Sequence, residues 1–226
     1  MNTRVISIGA IDAHPDWGER TPVRTGHATT TLIRAGKKTI LIDPGLPAQA
    51  LGARLGERAG ISHDSVTDVF LTSFHPDARR GLALFENANW LIHTAERESL
   101  GVNMVQQYQV AEESGDAELA ALLRDEISLL KRCQPAPDKF TDHVDLFPLP
   151  GVSPGTAGVL VADARHTLLV TGDAIATGEH LDKGRIVQWA ADVEQAKESF
   201  AEAIEIADLI IPGRDNLILN PTRRPF

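Results

Sequence analysis

The stretch Ser73-Phe74-His75-Pro76-Asp77-Ala78-Arg79-Arg80-Gly81 sets an imidazole and a carboxylate two positions apart, directly after the apolar run Val69-Phe70-Leu71-Thr72. Those two side-chain types can contribute to a divalent-metal site, and with the neighbouring arginines they can hold a small anion. Four more segments follow strand-like runs in the same way: Asp43-Pro44-Gly45, Gly151-Val152-Ser153-Pro154-Gly155, Thr171-Gly172-Asp173 and Pro212-Gly213-Arg214. Folds that layer helices on sheets keep their ligands beyond strand ends, so these loops are expected to converge on one cleft.

The elements that must position these loops are legible from periodicity. Val5 to Ile11, Thr29 to Arg34 and Thr39 to Asp43 read as strands, with Ala35-Gly36-Lys37-Lys38 as a hairpin turn. Ala48 to Leu55 has helical composition and ends near Gly60, and Val69 to Thr72 then reads as a buried strand. Thr94 to Lys131 is helical, most clearly where Leu119, Leu122, Leu123, Ile127 and Leu130 mark one face behind Asp116 as a cap. Pro135-Ala136-Pro137 ends that region, and Val144 to Leu149, Gly158 to Ala162 and Thr167 to Thr171 form a second set of strands. Val193, Ala196, Phe200, Ala203, Ile204 and Ala207 keep helical spacing after Asp192, and Leu209-Ile210-Ile211 adds a last strand. The expectation is a single domain over residues 1–226, with a helical segment at about 94–134 covering the cleft.

These five motifs, in this order and strand context, resemble the metallo-β-lactamase superfamily over roughly residues 28 to 216. The resemblance implies an α/β fold of the α+β type, a four-layer αββα sandwich with its site on one edge. The family's first run, Thr-His-x-His-x-Asp-His, falls on Ser73, His75, Asp77 and Ala78, so that two of its four ligands are replaced. Its later Gly-His falls on Gly151-Val152, its bridging aspartate on Asp173 and its last histidine on Arg214. In the family's dinuclear hydrolases one metal uses the positions of Ser73, His75, Val152 and Asp173, and the other those of Asp77, Ala78, Asp173 and Arg214.

A catalytic zinc normally takes three protein ligands and a water whose pKa it lowers to ~7. Val152 and Ala78 cannot donate to a metal, and Arg214 brings a permanent positive charge. The expectation is therefore a degenerate site with no metal cofactor. In it Arg214, with Arg79 or Arg80, serves as the local cation beside His75, Asp77 and Asp173, and a small anionic metabolite is the expected partner. The alternative is a metal-dependent hydrolase of esters, lactones or thioesters. It would hold one divalent ion (Zn, Mn or Fe) on His75, Asp77 and Asp173, completed by water or by a distant histidine such as His14. A purely structural role is the third reading: Asp77 can cap a helix, His75 can bond backbone at a turn, Asp173 can stabilise a Gly-Asp turn, and Arg214 can sit in solvent.

The remaining candidates carry less. His27 and His143 precede strands without metal-ligand spacing, and His63, His93, His166 and His180 read as structural or exposed. Trp17, Trp90 and Trp189 read as core or rim anchors, Trp17 being near enough to His14 to line a pocket. Cys133, the single cysteine, has no neighbouring base to make it a nucleophile and no partner for an intramolecular disulfide, which suits the cytoplasm.

Composition excludes several function classes. A net charge of −9 over 226 residues argues against binding a nucleic-acid backbone by broad electrostatic attraction. No apolar run approaches the ~20 residues of a membrane helix, so no membrane partner is expected. The sequence leaves the oligomeric state open.

Overall fold

The computed structural model describes residues 1–222; positions 223–226 of the expected 1–226 domain lie outside the described residues. The chain opens with β1 (Asn2–Ser7), β2 (Thr30–Ala35) and β3 (Lys38–Ile42), and Ala35 pairs with Lys38 across the predicted hairpin turn. α1 (Ala48–Ala59) ends at Gly60, whose left-handed φ of 64° lets its N–H reach back to the Gly56 carbonyl. β4 (Asp68–Leu71), the one-turn α2 (Pro76–Arg79) and β5 (Asn89–Ile92) follow. β1 stops at Ser7, short of the expected Ile11, because its register shifts between Val5 and Ser7; Ala10 then makes only an isolated bridge to His27.

The long helical stretch is two helices, α3 (Thr94–Ser114) and α4 (Ala117–Arg132). Gly115 breaks it with a φ of 76°, and the expected cap Asp116 accepts from the Leu119 amide at 3.0 Å to start the second helix. The buried side of α4 carries Ala120, Leu123 and Leu130, whereas Leu119 and Leu122 face solvent, a correction to the expected stripe. Short β6 (Gln134–Pro135) and β7 (Lys139–Thr141) lead into β8 (Val144–Pro148), β9 (Ala157–Ala162) and β10 (Thr167–Gly172). α5 (Gly178–Lys183), α6 (Val193–Ile206), β11 (Leu209–Pro212) and β12 (Ile218–Leu219) complete the described chain.

Two six-stranded sheets result, ordered β1-β2-β3-β4-β5-β6 and β12-β11-β10-β9-β8-β7. Side chains alternate between the two faces of a strand, and both faces of these strands are buried. Ile40, Ile42 and Phe70 point inward to meet Val159, Val161, Val170 and Ile211 of the opposite sheet. Leu41, Val69 and Leu71 point outward onto Leu51 and Leu55 of α1 and Leu130 of α4. On the far side Leu169 and Ile210 pack on Phe200 and Ala203 of α6 and Leu181 of α5. The layers are thus helix, sheet, sheet, helix, as the resemblance implies. β3, β4 and β5 run parallel, as do β10 and β11, so the segments after β3, β4, β10 and β11 are brought to one edge. Backbone bonds sew the two sheets together there, from the Ala157 amide to the Thr72 carbonyl at 3.0 Å and from the Thr29 amide to the Gly213 carbonyl at 2.7 Å. Among the described residues no helix is long and apolar enough to cross a membrane.

Candidate functional site

Pro76 suits the first turn of α2, which residues 72–75 separate from β4, and the His75 side chain caps the helix, Nδ1 accepting from the Asp77 amide at 3.2 Å. An Nδ1 that accepts leaves the proton of a neutral imidazole on Nε2. Asp77 thus lies inside the first turn; the cap is His75. Asp77 Oδ1 accepts from Arg80, three residues on at the end of this short helix, at 2.8 Å.

Arg214 arrives from the end of β11 and meets this loop from the opposite sheet. Its Nε and Nη2 donate to the two oxygens of Asp173 at 2.9 and 2.8 Å, and its Nη1 donates to Asp77 Oδ2 at 2.6 Å. Each of the four carboxylate oxygens therefore accepts a guanidinium N–H. Arg214 is only 6% exposed, so a surface role is ruled out by its position. Burial works against its charge, but Asp173 and Asp77 outweigh burial and hold its pKa above the ordinary arginine value. Burial likewise acts to raise the Asp173 pKa, and Arg214 overcomes it so that Asp173 stays below the usual carboxylate range. Gly26 makes the approach possible, because a Cβ there would stand 2.9 Å from Asp77 Oδ2 and 3.4 Å from Arg214 Nη1.

Beneath this pair lies Asp43, which sequence reading took only as a loop marker. It is a non-glycine residue at a left-handed φ of 50°, held there by Thr72, whose amide and hydroxyl donate to its two oxygens at 2.8 and 2.7 Å. Complete burial pushes its carboxyl up to about 7 against those two hydrogen bonds, with the Asp173 charge adding to the rise.

A cleft of about 490 Å³ opens beside the ion pair, lined by Ser73, His75, Val152, Asp173 and Trp189 and walled by Phe74, Leu100 and Met104. The expected loops therefore do converge. α3 and α4 supply Glu96, Leu100, Met104 and Glu126 to its lining, which gives the expected covering segment named contacts. Arg79 reaches the cleft but is bound to Glu126 and to the Phe74 carbonyl, with its guanidinium over the Phe74 ring; it does not meet Asp77 or Asp173. Arg80 joins the network, through Asp77. Ala78 is buried in α2 and Val152 lies on the cleft wall, neither with an atom to offer a cation.

Glu96 is the residue that sequence reading missed. Only 1% exposed, it accepts from the Phe74 amide at 3.0 Å, the Gly155 amide at 3.1 Å and the Ser153 hydroxyl at 2.6 Å, so one carboxylate ties two cleft loops to the start of α3. Gly155 makes this close approach possible, since a Cβ there would fall 1.8 Å from the Glu96 nitrogen. His14 does not join the site. It is 1% exposed, stacks on Trp17 at 4.5 Å, and its Nε2 lies 3.1 Å from the Thr177 hydroxyl, which His180 also contacts at 2.8 Å. Among the described residues no three His, Cys, Asp or Glu side chains are grouped to hold a metal ion. Cys133 is buried, and burial pushes its thiol up to about 11, which leaves little nucleophilic thiolate. A larger groove of about 720 Å³ between α3 and α4 is lined by none of Ser73, His75, Asp77, Asp173 or Arg214.

Residues 23–213 match the family described as the metallo-β-lactamase superfamily. Among solved structures the chain is similar to a Thermotoga maritima protein named as a metallo-β-lactamase, with 22% identity, 96% of this chain and 98% of that one covered, and a TM-score of 0.67. It is similar to AidC, a dizinc quorum-quenching lactonase, with 21% identity, 79% and 67% covered, and a TM-score of 0.61. It is similar also to a Staphylococcus aureus protein named as a metal-dependent hydrolase, with 13% identity, 96% and 88% covered, and a TM-score of 0.63. No curated protein matches the chain. At these identities the structural likenesses establish the shared fold.

Proposed function

The chain belongs to the metallo-β-lactamase superfamily, and we propose that it is a non-hydrolytic member, a binding or regulatory protein in which an arginine occupies the role of the metal. The observation that carries this reading is the Arg214 guanidinium bonded to both Asp173 and Asp77. As they stand, His75, Asp77 and Asp173 do not fit a divalent cation. The carboxylate oxygens are already taken up by guanidinium groups, the His75 Nδ1 accepts from backbone, and a cation seated between the aspartates would stand against the fixed charge of Arg214. A buried cation matched to buried carboxylates satisfies the same electrostatic need that zinc would, without supplying an activated water. What remains is a shaped cleft with a fixed polar floor, the form of a small-molecule site. A cytoplasmic setting belongs to the same proposal, resting on the lone cysteine.

A second reading stays in view because the structural neighbours are hydrolases by name, two of them described by their metals. In it Arg214 swings aside and one Zn, Mn or Fe ion sits on His75, Asp77 and Asp173. Metal content by plasma mass spectrometry, on protein purified without tag or chelator, separates the two, together with thermal melts in added zinc, manganese and iron. The expected result is metal well below one equivalent and no rise in Tm. Stoichiometric metal, a metal-dependent rise in Tm, and ester, lactone or thioester hydrolysis lost in Asp173→Ala would overturn the proposal in favour of the hydrolase.

A further inference from the structure

Counted from the sequence, three arginines beside the cleft suit an anion. Their pairing changes that count. Arg214 is spent on Asp173 and Asp77, Arg80 on Asp77, and Arg79 on Glu126. Glu96, a buried residue lining the cleft, is held by two amides and a hydroxyl, with no cation among its partners in the described residues. Leaving His75 out of the count, Arg79, Arg80 and Arg214 stand against Asp77, Asp173, Glu96 and Glu126, which leaves one carboxylate in excess.

The walls add a second, independent constraint. Phe74, Leu100, Met104 and Val152 are apolar, and Trp189, 43% exposed at the rim, already has the Arg214 guanidinium over its ring, 5.9 Å from the centroid. Glu126 is the most accessible of the carboxylates, with its side chain 30% exposed on α4. From the cleft's charge and its walls together we infer that its ligand is an ammonium-bearing apolar molecule, an aryl- or alkylamine whose body lies on Phe74, Leu100 and Met104 and whose charge faces Glu126. This rests on the metal-free reading of the same cleft. A carboxylate ligand would add to the excess negative charge of the surround, which an ammonium would offset.

The test is calorimetric titration of the chelator-treated full chain with three probes of one shape: 3-phenylpropylamine, 3-phenylpropanol and 3-phenylpropionate. The amine is expected to bind at least about tenfold more tightly than the carboxylate at low salt, with the gap narrowing as salt rises. Glu126→Gln frees Arg79 and is expected to shrink or invert that preference, and because the side chain is exposed on α4 the variant should fold. An amine that binds no better than the carboxylate, or does not bind, overturns the inference while leaving the metal-free reading intact. Tight carboxylate binding that appears only when zinc is restored overturns the metal-free reading itself.

Discussion

Arg214 and Asp173 are both nearly inaccessible to solvent, so neither charge tolerates loss of the other. Replacing Arg214 by methionine leaves Asp173 buried without its partner, and a broken buried pair costs about 3–5 kcal/mol. Urea unfolding of Arg214→Met should show a loss of that size, and adding Asp173→Asn should return part of it, because an uncharged amide costs less to bury than an unpaired carboxylate. If Arg214→Met unfolds like the wild type, the ion pair is not the keystone of this edge. Asp43 gives a prediction of opposite sign. Its folded-state pKa of about 7 lies above the ordinary 3.8, so the native protein binds this proton more tightly than the unfolded chain does. Stability therefore falls as pH rises from about 4 to about 7, and the penalty is complete above that. Asparagine accepts the same left-handed backbone and carries no charge. The Tm advantage of Asp43→Asn over wild type should accordingly be small at pH 5 and larger at pH 8; an advantage independent of pH would show that Asp43 is not titrating. Asp173 runs the other way: its contribution is present above the ordinary carboxylate pKa and is lost only as pH drops through its depressed folded value.

The first turn of α3 decides how the cleft loops are held. Glu96 reaches from it to the loop after β4 and to the loop after β8, and Gly155 lets the latter press against the helix backbone. Glu96→Gln keeps the shape but exchanges one acceptor for a donor that faces the Ser153 hydroxyl and the Gly155 amide, or else the Phe74 amide. The expected cost is about 1–3 kcal/mol, and hydrogen exchange should quicken at the Phe74 and Gly155 amides while the β3 and β4 amides keep their protection. Uniform exchange would mean that Glu96 merely fills space. This scale also separates what could be read in the sequence from what could not. Asp116 and Asp192 announce their helices because an N-cap is local chemistry, and each is found accepting from the amide three residues on. Glu96 announces nothing, since its three donors come from positions 22 to 59 residues away, a relation no local pattern encodes. β5 was equally hidden: Asn89-Trp90-Leu91-Ile92 is too short for periodicity to speak, and its identity as a strand comes from lying between β4 and β6.

At the scale of the molecule, the αββα layers were foretold by the family resemblance that the order of loops carries, and in the structure the parallel pairs β3–β4 and β10–β11 deliver their ends to one edge. The same order aligned Ser73, Ala78, Val152 and Arg214 with ligand positions but did not say how the remaining charges are paired. That depends on side-chain directions, which put Arg79 on Glu126 and Arg80 on Asp77. If the backbone still holds the geometry of a metal centre, the ligands can be written back. The quadruple variant Ser73→His, Ala78→His, Val152→His and Arg214→His removes the guanidinium that neutralises Asp77 and Asp173 and surrounds both carboxylates with imidazoles. Without metal it should be less stable than wild type, since the buried Asp173 loses its cation and the half-buried Asp77 is left with Arg80 alone. With zinc it should regain that stability, by RT ln(1 + [Zn]/Kd), or about 2.7 kcal/mol at a hundredfold excess over Kd. A thermal melt titrated with zinc reads both effects in one experiment. Destabilisation with no zinc response would mean that these four positions do not face a common point, and that the arginine stands in a place no metal could take. Recovery would mean that the fold has kept a metal-shaped edge and that the change of four side chains, above all Arg214, is what separates this chain from metal-binding relatives.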